Sequence, residues 1–126
     1  MLTVLYIDDD DINRDLVKRI LARAPFDVET LEAHDGHIGV EMAIANPPDL
    51  ILMDFHMPQL PGTEAAKQLQ VHEATSHIPI IALTADIYAR ERFQDAGCVA
   101  FLTKPIRKRA LLHAIEKVFP ELVTEA

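Results

Sequence analysis

Charged and hydroxyl side chains follow four of the short apolar runs in this sequence, at the points where those runs end. Four consecutive aspartates at positions 8 to 11 follow the first run, and single residues, Asp54, Thr84 and Lys104, follow three later runs. Several carboxylates in one crevice repel one another unless a cation joins them. Mg2+ suits such a site because it takes a few carboxylates and keeps several waters. A divalent cation, an ammonium and a hydroxyl donor would together form a receptor for a phosphoryl group.

The aspartate run is expected to divide between two roles. Asp8 and Asp9 leave the apolar run directly, so we favour metal binding for both of them. Asp10 or Asp11 is better explained as the cap of the helix that follows. The same four residues would then supply metal ligands and a helix cap.

The three later positions each have an ordinary explanation when they are considered alone. Asp54 could cap a helix or belong to a turn, and Thr84 could cap a helix that begins nearby. Lys104 could be a surface lysine, although the rigid ring of Pro105 restricts where it points. Their joint occurrence after separate apolar runs is much more specific than any one of them.

Five apolar runs predict five strands, separated by segments with helical spacing. The runs at 2–7, 50–53 and 80–83 are apolar at nearly every position, which is typical of parallel strands covered on both faces. Regular strand–helix alternation predicts an α/β fold with a doubly wound parallel sheet between two layers of helices. The other two predicted strands are 28–31 and 99–102, and the helical stripes are Ile12, Leu16, Ile20 and Ala24; Ile38, Met42 and Ala45; Ala65, Ala66 and Leu69; Ala89, Phe93 and Ala96; and Leu111, Ile115 and Val118.

The expected sheet explains how distant residues could meet. Ligands of doubly wound sheets bind beyond the carboxyl ends of the strands. Four of the five strands deliver polar side chains to that edge, and only the second strand lacks an obvious functional residue there. The sequence therefore predicts one site that contains Asp8, Asp9, Asp54, Thr84 and Lys104.

Composition narrows the class of protein. The 126 residues fit one domain spanning 1–126, with a core of about 2–120 and a frayed tail at 121–126. A net charge of −8 argues against direct binding to nucleic acid or to an anionic membrane. The single cysteine, Cys98, fits a reducing compartment, and no apolar stretch approaches the length of a membrane span. We expect a soluble, cytoplasmic domain.

Four motifs in order along the chain resemble the receiver domain of two-component response regulators, in the style of chemotaxis regulators. This resemblance spans essentially the whole chain, and the joint match is highly specific. It implies the flavodoxin-like (βα)5 three-layer sandwich with strand order 2-1-3-4-5. The motifs are VLYIDDDDINR at 4–14, ILMDFHMP at 51–58 followed by PG at 61–62, IIALTA at 80–85, and FLTKP at 101–105.

The resemblance also implies a role for each matched residue. Asp54 would be the nucleophile that takes a phosphoryl group from a histidine kinase or a histidine phosphotransfer protein. Mg2+ would be held by Asp8, Asp9, Asp54 and the backbone carbonyl of His56. The protein would then be a signalling receiver that catalyses its own phosphorylation and dephosphorylation, rather than an enzyme acting on a separate substrate.

The same resemblance implies a conformational switch. Thr84 and Lys104 would bind phosphoryl oxygens, and the movement of Thr84 would vacate space for Phe101 to turn inward. This change would alter the surface formed by the fourth helix, fifth strand and fifth helix, where a downstream protein would bind. His56 and Asp86 lie two residues after the acceptor and the switch hydroxyl, so we expect them to tune the dephosphorylation rate, by contact with each other or separately.

Three other functions use similar features. A phosphatase resembling the haloacid dehalogenases would use Asp8 as its nucleophile, but Ile12 is atypical there and the chain has no room for a cap domain. A flavin carrier would need Gly, Ser and Thr after the first strand, where four aspartates would repel the flavin phosphate. A degenerate receiver used only for docking is disfavoured because every matched position is filled. The motif style somewhat resembles the receivers of hybrid kinases, but the sequence does not separate a stand-alone regulator from a receiver belonging to a hybrid kinase.

Overall fold

The computed structural model describes residues 1–57 and 59–123, and five strands alternate with five helices in it. Pro58, which ends the second motif, and residues 124–126 lie outside the described part. Two short 3-10 turns add to these elements, at Ile87–Ala89 before the fourth helix and at Pro120–Val123. In chain order the elements are β1 (Leu2–Ile7), α1 (Asp11–Ala22), β2 (Val28–Ala33), α2 (Gly36–Ala45), β3 (Leu50–Asp54), α3 (Gly62–Val71), β4 (Ile80–Thr84), α4 (Arg90–Asp95), β5 (Ala100–Thr103) and α5 (Lys108–Val118).

All neighbouring strands are parallel, and their order is β2-β1-β3-β4-β5. This confirms the predicted doubly wound sheet and its strand order. β1 lies between β2 and β3, and β4 lies between β3 and β5. The carboxyl ends of β1, β3, β4 and β5 are therefore consecutive along one edge of the sheet.

The two faces of the sheet form separate apolar layers. Side chains alternate along a strand, so Leu5 and Ile7 of β1 pack on one face while Val4 and Tyr6 pack on the other. Helices α2 and α3 cover the first face, and α1 and α5 cover the second. Both layers are fully buried at their centres, which explains why β1, β3 and β4 carry apolar residues at nearly every position.

Of the stripe predicted for helix α1, only Ile20 is buried. Asp10 caps it, and the buried side chains are Val17, Ile20 and Leu21. Ile12 is 79% exposed. A strict four-residue repeat drifts around a helix of 3.6 residues per turn. The first part of the predicted stripe therefore points to solvent, and Leu16 is exposed like Ile12. Ala24, the last residue of the stripe, lies beyond the end of the helix.

Helix α2 is also rotated relative to the predicted stripe. Ile38 and Met42 are half-buried, Ala45 is exposed, and the fully buried positions include Gly39. A Cβ atom at Gly39 would lie only 2.4 Å from the Cδ1 atom of Ile7. This glycine thus permits a close approach between α2 and β1, and a hydrophobic pattern cannot reveal that kind of contact.

The stripes predicted for the remaining helices match the buried faces more closely. Ala65, Ala66 and Leu69 of α3 are fully buried, as are Leu111 and Ile115 of α5. Ala89, Phe93 and Ala96 are also buried, although α4 itself contains only six residues. In the described residues, no helix is long and apolar enough to cross a membrane.

The end of the described chain is a short 3-10 turn. The predicted tail begins at Glu121, yet Pro120–Val123 form a 3-10 turn. Leu122 is half-buried and packs against the layer covered by α1 and α5. The described part of the predicted tail, 121–123, thus lies in a turn with one half-buried apolar side chain, and residues 124–126 lie outside the described part.

Candidate functional site

Three polar side chains predicted for the site are buried at the carboxyl edge of the sheet. Asp8 and Thr84 are 0% exposed and Asp54 is 3% exposed. Each lies at the end of its strand, and β1, β3 and β4 are adjacent. Burial of two carboxylates this close together is unfavourable unless cations or hydrogen-bond donors compensate for it.

Lys104 supplies the nearest compensating charge. Its Nζ atom lies 3.0 Å from Asp54 Oδ1 and 3.3 Å from Asp8 Oδ2. The backbone N–H of Lys104 also donates to the carbonyl of Thr84, at 2.7 Å, which fixes the loop after β5 against the end of β4. The Lys104–Pro105 peptide bond is cis. One ammonium thus bridges carboxylates that are separated by 46 positions in the sequence.

Lys104 does not fully compensate for the burial of Asp54. Burial raises the pKa of Asp54 to about 6, and the Asp8 charge adds to the rise, while Lys104 and the backbone N–H of His56 oppose it. Burial lowers the pKa of Lys104, but the charges of Asp54 and Asp8 outweigh that effect and raise it. Lys104 therefore stays protonated, and the acidic corner retains an excess of negative charge.

The Asp8 carboxylate accepts hydrogen bonds at both of its oxygens. The Tyr6 hydroxyl donates to Oδ2 at 2.5 Å, and the backbone N–H of Asp10 donates to Oδ1 at 2.9 Å. Burial, together with the adjacent Asp8, raises the pKa of Tyr6, so the hydroxyl keeps the proton that it donates. Arg14 donates to the Asp8 carbonyl at 2.6 Å and pairs with Asp11, which orders the loop between β1 and α1.

Three of the carboxylates form a cluster that matches the ligand preference of a hard divalent cation. One oxygen from each of Asp8, Asp9 and Asp54 can be chosen so that all three lie within 4.8 Å of one another. Asp9 is exposed, so the cluster opens to solvent on one side. An all-oxygen set with an open side fits Mg2+, which keeps waters in its coordination shell. The expected helix cap is also found, because the Asp10 side chain accepts a hydrogen bond from Ile12 N at 2.9 Å at the start of α1.

Asp54 differs from Asp8 in the hydrogen bonds that its oxygens accept. Lys104 Nζ and the backbone N–H of His56 both donate to Oδ1, at 3.0 and 3.3 Å. No described residue donates to Oδ2. Asp54 therefore has one oxygen fixed and one oxygen available to an incoming group, whereas both oxygens of Asp8 are engaged.

The two residues expected to modulate the site lie beside it but not together. Asp86 caps the 3-10 turn before α4, and its Oδ2 atom pairs with Arg92 at 3.1 Å. Its backbone N–H donates to Thr84 Oγ1 at 3.0 Å. The side chain of His56 is exposed, and among the described residues no hydrogen bond or ion pair joins it to Asp86. The suggested contact between them stays a prediction, and in this structure Arg92 engages the Asp86 carboxylate.

Phe101 lies at the edge of a small aromatic cluster. Its ring is half-buried, and its centroid lies 5.1 Å from that of Phe93. The centroids of Phe93 and Phe55 lie 3.6 Å apart. The Arg90 guanidinium lies 5.1 Å from the centroid of Phe101. Phe101, the ring expected to move, is thus held between the Phe93 ring and the Arg90 guanidinium.

Several residues that shape the site were not identified from the sequence. Tyr6 was assigned to a strand only, yet residues two apart in a strand share a face, and this rule places its hydroxyl beside Asp8. Arg14 sits three residues after Asp11 on α1, a spacing that brings helical side chains together. The contact of Arg90 with Phe101 had no sequence signal, because it joins two elements whose relative position depends on the whole fold.

Comparison with known proteins identifies the family. A model described as the response regulator receiver domain matches residues 4–116. The polar-differentiation response regulator DivK of Brucella ovis is 32% identical over 116 residues, which cover 90% of this chain and 93% of that protein. The chemotaxis protein CheY4 of Vibrio cholerae has a structure with a TM-score of 0.83 at 29% identity, covering 94% of this chain and 98% of that one.

A further solved relative carries a metal ion. It is the receiver domain of the sensor histidine kinase PA1611 from Pseudomonas aeruginosa PAO1, described with a magnesium ion coordinated in its active-site cleft. It is 28% identical with a TM-score of 0.84, and the match covers 92% of this chain and 95% of that one. The strand order, the acidic corner with its lysine, and these matches agree, and the chain belongs to the response regulator receiver domains of two-component signalling.

Proposed function

We propose that residues 1–126 act as one cytoplasmic receiver domain that accepts a phosphoryl group on Asp54. The donor would be a phosphohistidine on a histidine kinase or a histidine phosphotransfer protein. The observation that carries this proposal is the asymmetry at Asp54. Lys104 fixes its Oδ1 atom at 3.0 Å, while no described residue donates to its Oδ2 atom. An oxygen that accepts no hydrogen bond is the better placed to attack, whereas each oxygen of Asp8 accepts at least one and keeps lone pairs for a metal ion.

Mg2+ would be held by Asp8, Asp9, Asp54 and the backbone carbonyl of His56. The clustering of the three carboxylates within 4.8 Å supports this assignment. The ion would supply positive charge that offsets the repulsion between the carboxylates and the incoming phosphoryl group. The related PA1611 receiver domain, described with magnesium in its cleft, shows that this fold accommodates the ion.

The transfer step forms one bond to the protein and breaks one bond in the donor. An Asp54 carboxylate oxygen attacks phosphorus, a P–O bond forms, and the P–N bond to the donor imidazole breaks with its electron pair returning to the ring. Lys104 and Thr84 then hold the phosphoryl oxygens by hydrogen bonds, so catalysis consists of positioning and charge stabilisation. Attack of water on phosphorus later releases inorganic phosphate and restores the carboxylate, which makes the signal temporary.

Phosphorylation would switch the surface formed by α4, β5 and α5. Thr84 is fully buried and already fixed to the loop through Asp86 N, so its movement toward a phosphoryl group would disturb the start of α4. Phe101 is half-buried beside Phe93, where displacement of the loop would open space for it. A downstream protein, rather than nucleic acid, would read this change, because the chain carries a net charge of −8.

His56 and Asp86 would tune the rate of dephosphorylation from the mouth of the site. Asp86 acts through the loop that it shares with Thr84, and His56 through its exposed side chain next to Asp54. The half-lives of the phosphorylated His56→Ala and Asp86→Ala variants measure this role. Half-lives equal to that of the wild-type protein would show that neither residue affects the rate of dephosphorylation.

Labelling with acetyl phosphate and Mg2+, followed by mass mapping, tests the proposed function. We expect the label on Asp54, and its loss in Asp54→Asn. Asp15→Asn is the matched control, because Asp15 is an exposed α1 residue that pairs with Arg19 on the same helix. Label on Asp8 would support a phosphatase-like reaction instead, and no label on the wild-type protein would support a docking function alone.

A further inference from the structure

We propose that Tyr6 is a positioning residue that orients the Asp8 carboxylate for Mg2+ and thereby sets the preference of the site for Mg2+ over a larger cation. The inference rests on the proposed function, since it assumes that Asp8 is a metal ligand. It assigns a task to a buried hydroxyl on β1 that touches neither the acceptor nor the phosphoryl group.

The geometry makes Tyr6 part of the metal corner while its ring belongs to the core. The side chain is 0% exposed, and the ring packs in the layer covered by α1 and α5. Its hydroxyl reaches the end of β1 and donates to Asp8 Oδ2 at 2.5 Å. The ring cannot turn away without disrupting that layer, so the hydroxyl is a fixed point for the carboxylate.

The other partners of Asp8 cannot replace this contact. Lys104 lies farther from the same oxygen, at 3.3 Å, and it also binds Asp54. In the proposed reaction Lys104 turns toward the phosphoryl group, and Tyr6 would then be the remaining side-chain donor to Oδ2. The backbone N–H of Asp10 fixes only Oδ1. Hydrogen bonds at both oxygens restrain rotation of the carboxylate about its Cβ–Cγ bond more tightly than a bond at one oxygen.

The orientation of a ligand matters more for Mg2+ than for Ca2+. Mg2+ requires near-ideal octahedral geometry, whereas Ca2+ accepts flexible coordination. Removing a group that orients a metal ligand typically costs 10- to 100-fold in metal affinity. Loss of the Tyr6 hydroxyl is therefore expected to weaken Mg2+ strongly and Ca2+ only weakly.

Calorimetric titration of the whole chain with Mg2+ and with Ca2+ tests the inference. We expect Tyr6→Phe to raise the Kd for Mg2+ by at least about tenfold and the Kd for Ca2+ by a smaller factor. Tyr88→Phe is the matched control, because this second tyrosine is 87% exposed, and it should leave both constants unchanged. An Mg2+ Kd for Tyr6→Phe within twofold of wild type, or equal losses for the two ions, would overturn the proposal.

A measurement on the wild-type protein keeps the inference testable if Tyr6→Phe does not fold. The 13Cζ resonance of Tyr6 should move as Mg2+ saturates the site, while that of Tyr88 stays in place. A Tyr6 resonance that does not respond to Mg2+ binding would refute the positioning role alone. Absence of Mg2+ binding by the wild-type protein would instead refute the metal assignment in the proposed function together with this inference.

Discussion

The two halves of the site are built differently. At the ends of β1 and β3, Asp8 and Asp54 are buried between fully buried strands, and Asp8 accepts hydrogen bonds at both oxygens. On the other side, β5 has no fully buried residue, and α4 has only six residues and no side-chain cap. Regions with little burial open at low free-energy cost. The acidic half is therefore organised before any ligand binds, and the half formed by α4 and β5 is the part that can change.

Loss of Lys104 is expected to have the largest effect, because this residue joins the two halves. Lys104→Met removes the ammonium from two buried carboxylates, and such a loss typically costs about 3 kcal/mol of folding free energy. Urea unfolding at pH 7 without metal measures it, and phosphoryl uptake should fall as well. Lys67→Met, at an exposed position of α3, is the control and should leave stability unchanged. A Lys104→Met protein as stable as wild type would mean that the buried acids do not depend on this lysine.

The raised pKa of Asp54 predicts that the charged form of this residue lowers the free energy of unfolding by an amount that depends on pH. Because the pKa is about 6 in the folded protein and about 4 in an unfolded chain, folding favours the protonated carboxyl. The resulting stabilisation is fully present below about pH 4 and is lost as the pH rises through about 6. Asp54→Asn should therefore exceed wild type in stability by about 2 kcal/mol at pH 7, with the difference vanishing near pH 4.

Urea unfolding in EDTA across this pH range provides the measurement for Asp54→Asn. Asp15→Asn, which changes an exposed carboxylate, should show no such gain at pH 7. A stability difference between Asp54→Asn and wild type that does not change with pH would contradict the assigned titration and the excess negative charge inferred for the corner.

A smaller loss of stabilisation is expected in the half that can change, where Arg90 contacts Phe101. Arg90→Ala removes the cation that lies 5.1 Å from the Phe101 ring, an interaction worth about 0.5–1 kcal/mol at exposed sites. Aromatic NMR signals of Phe101 should shift or broaden, whereas those of the acidic half should not. Arg109→Ala, an exposed arginine on α5, is the control. Unchanged Phe101 signals would show that Arg90 does not restrain the ring.

The contrast also explains which features the sequence could reveal. The parallel sheet and the meeting of Asp8, Asp54 and Lys104 followed from apolar runs and from the polar residues at their ends, because parallel strands place those ends at one edge. The strand order came from the family resemblance. The buried face of α1 did not follow, since a four-residue repeat fails to track the helix. The pairing of Asp86 with Arg92 depends on where α4 lies, and short elements with few core contacts leave little periodicity to read.

Titration of the Mg2+-loaded protein with beryllofluoride, followed by amide chemical shifts, tests the central claim most directly. The compound mimics a phosphoryl group on the acceptor carboxylate. We expect the largest shifts at Asp54, Thr84, Phe101 and Lys104, with smaller ones along the first strand. Shifts centred on Asp8, or no saturable response at Asp54, would contradict the assignment of Asp54 as the phosphoacceptor.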